Sequence, residues 1–214
     1  SIVAKKLCIP VAHVEAGLRS GDMAMPEEIN RLVTDAITDW FFVTEPSGRD
    51  NLLREGKPAE AVHYVGHVMV DNLLFQAEKL VHADTLGFET AAFKAANPRY
   101  GVVTLHRPSN VDGVETITRI ASALKTIAVD LPLIFPVHPR TRATLERFGI
   151  DLGKNVTLVG PRAYMEFLSL WKDAVVVLTD SGGLQEETTA LGVPCITIRE
   201  NTERPVTVEE GTNV

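Results

Sequence analysis

Cysteine is scarce in this sequence, and long apolar runs are lacking. The two cysteines, Cys8 and Cys195, lie far apart in apolar surroundings, so we expect buried thiols rather than a disulfide or a metal pair. No apolar run approaches the roughly 20 residues of a membrane-spanning helix. We therefore expect a cytoplasmic protein that has no membrane partner.

Basic residues are also few relative to acidic ones. The chain has 21 lysines and arginines against 28 aspartates and glutamates, which gives a net charge of −7. A protein that binds nucleic acid non-specifically needs a basic surface, so we expect no nucleic-acid partner. A phosphate-bearing ligand stays compatible with this charge, because a helix N-terminus and a few arginines suffice to bind it.

The signatures of several common site classes are missing as well. No spacing of histidines, cysteines and carboxylates is typical of zinc, and no Gly-x-Ser-x-Gly elbow occurs. The glycines fit neither the dinucleotide-binding nor the Walker spacing. We expect a site with neither a metal nor a cofactor.

What the sequence does contain is an alternation of short apolar runs with amphipathic stretches, clearest in its second half. This alternation is typical of βα units whose parallel sheet is covered on both faces. Strands are predicted at Gly101–Leu105, Leu131–Val137, Val156–Val159, Ala174–Thr179 and Pro194–Ile198, and helices at Val114–Val129, Thr141–Phe148, Tyr164–Trp171 and Leu184–Leu191. Such sheets bind ligands at the carboxyl ends of their strands.

The first part of the chain has the same character but fewer strands. Strands are predicted at Ile9–Val14 and Trp40–Val43, and helices at Glu27–Asp39, Arg49–Glu55 and Val70–Val81. We divide the chain into a partial N-terminal domain with a connecting helix, residues 1–83, and a C-terminal domain, residues 84–214. One strand pair is too little for a complete doubly wound domain, so we expect the N-terminal domain to be incomplete and the chain to be cut short at both ends.

The strongest local motif is DSGGLQEE at residues 180–187, directly after a predicted strand. A strand, a glycine turn and a helix start present free backbone N–H groups to a phosphate, and Gly182 and Gly183 let a ligand approach the backbone closely. Glu186 or Glu187 can accept hydrogen bonds from ribose hydroxyls. The structural alternative is a plain βα turn in which Asp180 or Ser181 only caps the helix.

Polar groups also follow other predicted strands. His106 and Arg107 follow the first strand of the second half, and His138 follows the next one. Such groups at a strand exit suit a phosphorylated or polyhydroxylated ligand, although a single histidine is commonly a structural residue. Arg204, after the last strand, is either a further member of this crevice or a solvated surface charge.

Carboxylates near the first strand offer acid–base groups. Glu15 follows that strand and precedes a flexible loop, and Glu27 and Glu28 open the next helix. Acidic residues in a first turn also serve the helix dipole alone, so both interpretations of Glu27 and Glu28 stay open.

Six motifs occur in a specific order: HVEAGLRSGD, PEEINR, TLHRPSN, PVHPR, LTDSGGLQEE and TERP. Together they resemble the non-hydrolysing UDP-N-acetylglucosamine 2-epimerases of bacterial type, over essentially the whole chain. The resemblance implies an α/β protein of the GT-B kind, in which two Rossmann-like domains with parallel sheets surround a cleft. It also implies a homodimer that converts UDP-GlcNAc to UDP-ManNAc for cell-surface polysaccharides.

The implied chemistry inverts carbon 2 of the sugar. A base removes the C2 proton while UDP leaves, and UDP adds back to the 2-acetamidoglucal as a proton arrives on the other face. By resemblance, Glu15 and Glu27 match the acid–base carboxylates, and His106 matches the histidine near the departing diphosphate.

The resemblance also implies binding roles. The UDP-binding residues implied at the C-terminal domain are Ser181, Gly182, Gly183, Glu187 and Arg204. Arg107 and His138 match a second UDP-GlcNAc site that regulates some bacterial members. Family members also carry about a half-domain before the first residue of this sequence, with an arginine and an acid–base aspartate that have no counterpart here, and a terminal helix after its last residue.

Three other interpretations stay open. A hydrolysing relative releases ManNAc and UDP, and its motifs are similar because the first half of the reaction is shared. A GT-B glycosyltransferase uses the same UDP pocket. A non-catalytic fragment binds a UDP-sugar without turnover.

Overall fold

Two parallel β-sheets organise the protein, and each lies in one of two compact units. The computed structural model describes residues 1–202 and 204–214, so residue 203 of the TERP motif lies outside the described residues. Unit 1 comprises Ser1–Asp71 with Asn201 and Thr202, and unit 2 comprises Asn72–Glu200 and Arg204–Val214. The α/β class predicted from the sequence is confirmed.

Unit 1 contains a sheet of three parallel strands in the order β1-β2-β3. Its strands are β1 (Ala12–Val14), β2 (Trp40–Val43) and β3 (Val62–Tyr64), and its helices are α1 (Ile2–Lys6), α2 (Pro26–Ala36) and α3 (Pro46–Arg54), with a 3-10 turn at Ala59–Ala61. A small core of Phe41, Val43, Leu52 and neighbouring side chains joins the sheet to α3. The helix α4 (Val68–Val81) begins in this unit and continues into unit 2.

Two element boundaries and one strand of unit 1 differ from the prediction for local reasons. The strand β1 begins at Ala12 rather than Ile9, since Pro10 has no N–H to donate to a ladder. The helix α2 ends at Ala36 because the N–H of Asp39 donates to the carbonyl of Val11 instead of continuing the helix. The strand β3 was not predicted, because only one of its three residues is buried.

Unit 2 contains a sheet of five parallel strands in the order β6-β5-β4-β7-β8. All five predicted strands are found, as β4 (Gly101–Thr104), β5 (Leu133–Pro136), β6 (Val156–Val159), β7 (Val176–Thr179) and β8 (Cys195–Thr197). The helices are α5 (Ala91–Ala96), α6 (Pro108–Val111), α7 (Val114–Ile127), α8 (Pro139–Arg147), α9 (Tyr164–Lys172), α10 (Gly182–Leu191) and α11 (Pro205–Glu209), with a 3-10 turn at Thr85–Gly87.

Both faces of the unit 2 sheet are covered. Val103 packs on one face with Ile117 and other residues of α7, and Val102 packs on the opposite face with Trp171 of α9. Neighbouring strand residues point to opposite faces, so a near-continuous apolar run is what a doubly covered sheet requires. The α4 residues Leu73 and Leu80 pack in the same cluster as Trp171, in agreement with the assignment of most of that helix to unit 2.

The strand order of unit 2 changes direction between β4 and β7. From β4 the chain adds β5 and β6 on one side, and it then returns to add β7 and β8 on the other side. In open parallel sheets, ligands bind at the carboxyl ends of the strands at such a switch point. The loops after β4 and β7 are therefore where a ligand is expected.

The two cysteines behave differently. Both are free thiols; Cys195 is buried, as expected, and burial raises the pKa of its thiol to about 11. The expectation that Cys8 is buried was wrong, because it lies exposed in the turn that closes α1, a helix with no buried residue. Among the described residues, none of the helices combines the length and apolar character needed to cross a bilayer.

Candidate functional site

A buried carboxylate organises the switch point of unit 2. Asp180 follows β7 and is fully buried, and its carboxylate accepts the backbone N–H groups of His106 at 3.1 Å and Arg107 at 2.9 Å. The side-chain amide of Asn110 donates to it at 3.0 Å, and the Nδ1 atom of His106 lies 2.8 Å away. Asp180 therefore fixes the loop after β4 and orients the imidazole of His106.

The electrostatics of this cluster favour the ionised carboxylate. Burial alone would raise the pKa of Asp180, but the hydrogen bonds from His106, Arg107 and Asn110 outweigh burial and hold it below the ordinary value. The imidazole of His106 remains half exposed, at 53% of its side-chain surface, and can meet a ligand.

The first turn of α10 follows Asp180 directly. Ser181 is the N-cap, and its Oγ accepts the N–H of Leu184 at 3.4 Å, while its own N–H donates to Oγ1 of Thr179 at 3.0 Å. Ser181, rather than Asp180, therefore caps α10, as expected if this segment is a plain βα turn. A methyl group added at Gly183 would nevertheless meet no atom within 4 Å, so there is open space beside the first turn of α10 at this residue.

Two adjacent carboxylates in α10 have different partners. Oε1 of Glu187 accepts a hydrogen bond from the hydroxyl of Tyr164 at 3.1 Å, and Oε1 of Glu186 lies 2.7 Å from Nε of Arg204. Burial, together with the charge of Glu186, raises the pKa of Glu187, and burial beside Glu187 raises the pKa of Tyr164 to about 12. Arg204 is buried, which excludes the solvated surface charge.

The remaining polar groups of unit 2 lie at neighbouring strand exits. Arg107 donates from Nε to the backbone carbonyl of Asp180 at 2.9 Å and so belongs to the switch-point cluster. His138 follows β5 and is the exposed N-cap of α8, where its Nδ1 accepts the N–H of Arg140 at 3.3 Å. His138 thus has the structural role that a lone histidine commonly has, and its exposure leaves it accessible to a ligand.

A second buried carboxylate organises the loop after β1 in unit 1. Asp35 in α2 is fully buried, and its Oδ1 lies 2.6 Å from Nδ1 of His13. Its Oδ2 accepts the N–H of Gly17 at 3.1 Å and lies 2.8 Å from a terminal nitrogen of Arg19. The guanidinium of Arg19 also donates two hydrogen bonds to the carboxylate of Glu55. Burial alone would raise the pKa of Asp35, but the bonds from His13 and Arg19 hold it below the ordinary value.

The acidic candidates of unit 1 differ in their surroundings. Glu15 is partly buried and has a left-handed backbone, with φ of +68°. Glu27 is exposed on the first turn of α2, whereas Glu28 is buried and accepts the backbone N–H groups of Ser20 at 2.9 Å and Gly21 at 3.1 Å. Glu28 therefore holds the loop in place, and Glu27 leaves its carboxylate in solvent.

With this geometry in view, the comparisons with known proteins decide the family. The model that describes UDP-N-acetylglucosamine 2-epimerase matches residues 1–214. The chain belongs to this family. The UDP-N-acetylglucosamine 2-epimerase of Methanocaldococcus jannaschii is 44% identical over all of this chain and 60% of its own length. The UDP-2,3-diacetamido-2,3-dideoxy-D-glucuronate 2-epimerase of Pseudomonas aeruginosa is 40% identical over all of this chain and 58% of its own length.

A solved structure supports the same assignment. The crystal structure of the Methanocaldococcus jannaschii UDP-GlcNAc 2-epimerase in complex with UDP-GlcNAc and UDP matches with a TM-score of 0.89 and 43% identity, over 99% of this chain and 59% of that chain. Such epimerases are GT-B-like, which confirms the fold class expected from the sequence. This chain spans about 60% of the length of these relatives.

Several important side chains of this epimerase-family chain were missed or misjudged from the sequence. Asp35 and Tyr164 were not recognised, because their partners lie 22 and 23 residues away and no local motif joins them. Asp180 was considered only as a helix cap, although its main partners are 70 to 74 residues away. The one available signal was an aspartate placed directly after an apolar strand.

Proposed function

We propose that this protein interconverts UDP-GlcNAc and UDP-ManNAc by inverting carbon 2 of the sugar. Membership of the epimerase family supports the proposal, and one structural observation carries it for this chain. At the switch point of unit 2, Asp180 holds His106 next to the first turn of α10. The space beside Gly183 in that turn is open, and a nucleoside diphosphate can bind there. The activity belongs to the whole protein, since the relatives are longer than this chain.

UDP binds at the start of α10. The helix N-terminus and the hydroxyl of Ser181 face the diphosphate, and Gly182 and Gly183 let it approach the backbone. The Nδ1 atom of His106 is engaged by Asp180, so Nε2 is the nitrogen that meets the departing diphosphate. Glu187 binds the ribose hydroxyls.

Arg204 stabilises the proposed UDP site by pairing with Glu186 of α10. Its ion pair with Glu186 is almost fully buried, at 6% and 7% side-chain exposure, and it neutralises the carboxylate next to Glu187. This pairing favours Glu187 over Glu186 as the residue that binds the ribose, because the carboxylate of Glu186 already pairs with a guanidinium. Arg107 and His138 contribute to a second UDP-GlcNAc site.

Glu15 and Glu27 carry the proton chemistry. One carboxylate removes the proton from carbon 2 as the bond between carbon 1 and the UDP oxygen breaks, and the electron pair of that bond leaves with UDP. The resulting 2-acetamidoglucal then takes a proton at carbon 2 on the opposite face while UDP adds back to carbon 1. Atoms and electrons balance without a redox partner, and the two faces of the sugar require two separate acid–base groups.

A second substrate is supported by the Pseudomonas aeruginosa relative. That protein is named for UDP-2,3-diacetamido-2,3-dideoxy-D-glucuronate, and its identity to this chain is 40%, against 44% for the Methanocaldococcus jannaschii UDP-GlcNAc enzyme. The same inversion at carbon 2 applies to both sugars, so the difference concerns only the groups at carbons 3 and 6.

The test is an analysis of products from both UDP-sugars. The protein is incubated with each, and the products are separated by anion exchange and identified by proton and phosphorus NMR. UDP-ManNAc from UDP-GlcNAc supports the proposal, whereas free ManNAc with UDP assigns the protein to the hydrolysing epimerases. Turnover of only the diacetamido sugar supports the second substrate, and UDP binding without turnover of either sugar contradicts both.

A further inference from the structure

Glu15 has a backbone conformation that a residue with a side chain rarely adopts. Its φ is +68°, in the left-handed region where Cβ crowds the backbone. Among the described residues that are not glycine, only Cys8 shares a positive φ, and Cys8 lies exposed in the turn after α1. Such conformations persist where the surrounding structure enforces them, and they concentrate at functional sites.

The contacts around Glu15 show what enforces its conformation. The N–H groups of Glu15 and Ala16 both donate to the carbonyl of Phe42, at 2.9 and 3.1 Å, so the chain leaves the strand β1 at this point. Asp35 then binds the chain on both sides, because it contacts His13 two residues before Glu15 and Gly17 two residues after it. These contacts come from the two oxygens of one fully buried carboxylate.

Gly17 is itself fixed in place. Its φ is +81°, and an added Cβ would lie 2.2 Å from the carbonyl oxygen of Gly48, so no other residue fits without movement of the backbone. The side-chain amide of Asn51 donates to its carbonyl at 3.0 Å. Asp35 therefore joins the Glu15 turn to a rigid contact between two chain segments.

We infer that Asp35 is a positioning residue, which holds Glu15 in its left-handed conformation by binding His13 and Gly17 on either side of it. The inference rests on the proposed function only in assigning Glu15 the proton transfer; the conformational part concerns this chain alone. Arg19 completes the arrangement by supplying positive charge to the buried carboxylate and by binding Glu55 in turn.

The conformational part is tested without substrate. Crystal structures, or backbone chemical shifts, are determined for the Asp35→Asn and Asp39→Asn variants. Asp39 is a matched control, because its carboxylate also binds a cation, Lys5, and a backbone N–H, that of Val11, but does not flank Glu15. Asp35→Asn is expected to return residue 15 to a negative φ, and Asp39→Asn to leave it near +68°.

The functional part is tested with the rate of deuterium incorporation at carbon 2. Misplacement of a reacting group by about 1 Å costs on the order of 100-fold in rate, so Asp35→Asn is expected to lower kcat by about 10- to 100-fold with KM for the UDP-sugar unchanged. Asp39→Asn should keep the wild-type kcat. A loss of folding in either variant would instead lower the amount of active protein and leave the kcat of its folded fraction unchanged.

Either of two results overturns the inference: a φ near +68° at Glu15 in Asp35→Asn, or a kcat equal to that of Asp39→Asn. If Asp35→Asn does not fold, His13→Ala takes its place, because it removes the contact before Glu15 and keeps those of Gly17 and Arg19. Absence of wild-type turnover would contradict the proposed function while leaving the conformational test valid.

Discussion

At the level of single residues, both units contain the same arrangement of a buried aspartate, a histidine and a backbone N–H group. A fully buried aspartate accepts a backbone N–H from the loop after a parallel strand and lies within hydrogen-bond distance of Nδ1 of a histidine at that strand. In unit 1 the aspartate is Asp35 with His13, and in unit 2 it is Asp180 with His106. An ionised group without such donors would be too costly to bury, so each carboxylate specifies the conformation of its loop.

The buried charge of Asp180 predicts acid sensitivity in unit 2. Its folded pKa lies below the ordinary 3.8, so its contribution to stability is complete above about pH 5 and is lost as the pH falls from there through the lowered value. Asp180→Asn should lower the free energy of unfolding at pH 7 by about 1–3 kcal/mol and weaken its decline between pH 5 and 3.

Urea unfolding followed by tryptophan fluorescence checks this prediction. The chain has two tryptophans, and in the Trp40→Phe background the signal comes from Trp171, which is fully buried in unit 2. Asp180→Asn is compared with the parent in that background. An equal decline of unfolding free energy with acid in both proteins would show that Asp180 is not an ionised, stabilised group.

Glu15 is the proposed acid–base group with the left-handed backbone. General acid–base catalysis contributes about 10²- to 10⁴-fold in rate, so Glu15→Gln should slow deuterium incorporation at carbon 2 by that range and leave the affinity for UDP unchanged. Glu60→Gln, an exposed glutamate of the same unit, is the control and should not alter the rate. Wild-type exchange in Glu15→Gln would remove Glu15 from the proposed mechanism.

At the scale of elements, prediction succeeded where the pattern is local. The five strands of unit 2 are short, near-continuous apolar runs, which is the pattern expected of strands in a parallel sheet covered on both faces. The strand β3 escaped prediction because Tyr64 and His63 are exposed and only Val62 is buried. The candidate ligand-binding residues at the strand exits followed from the rule that parallel sheets bind ligands at the carboxyl ends of their strands. The partners of Asp35 and Asp180 could not be predicted in this way, because they depend on how distant segments pack.

A substitution in the first turn of α10 can show whether this turn binds UDP or only caps its helix. Gly183→Ala is compatible with folding, since an added Cβ meets nothing within 4 Å, and replacing a helical glycine can raise stability by up to about 1 kcal/mol. If UDP approaches this backbone, the methyl group should nonetheless weaken its binding roughly tenfold, which corresponds to about 1.4 kcal/mol.

Gly113→Ala is the matched control for this comparison. Gly113 is the N-cap of α7, and an added Cβ there meets only Thr116 at 3.9 Å. Calorimetric titration with UDP and thermal unfolding are measured for both variants. Equal UDP affinity in the two variants would support a turn that only caps its helix.

At the scale of the whole molecule, the family assignment and the chemistry of the site agree. The chain matches the epimerase family along its entire length and spans about 60% of its relatives. Within the chain, unit 2 contains the proposed UDP site and unit 1 the proposed proton-transfer carboxylates. Homodimer formation and the cytoplasmic location stay predictions from the sequence, the former open to analytical ultracentrifugation.

Proton NMR of UDP-GlcNAc incubated with the protein in deuterated water tests the proposed inversion at carbon 2. We expect UDP-ManNAc that carries deuterium at carbon 2, with the same label entering the remaining UDP-GlcNAc as the reaction reverses. Formation of UDP-ManNAc that retains the original proton at carbon 2 would contradict proton exchange by the glutamates. An unchanged spectrum, with UDP bound, would contradict the proposed activity itself.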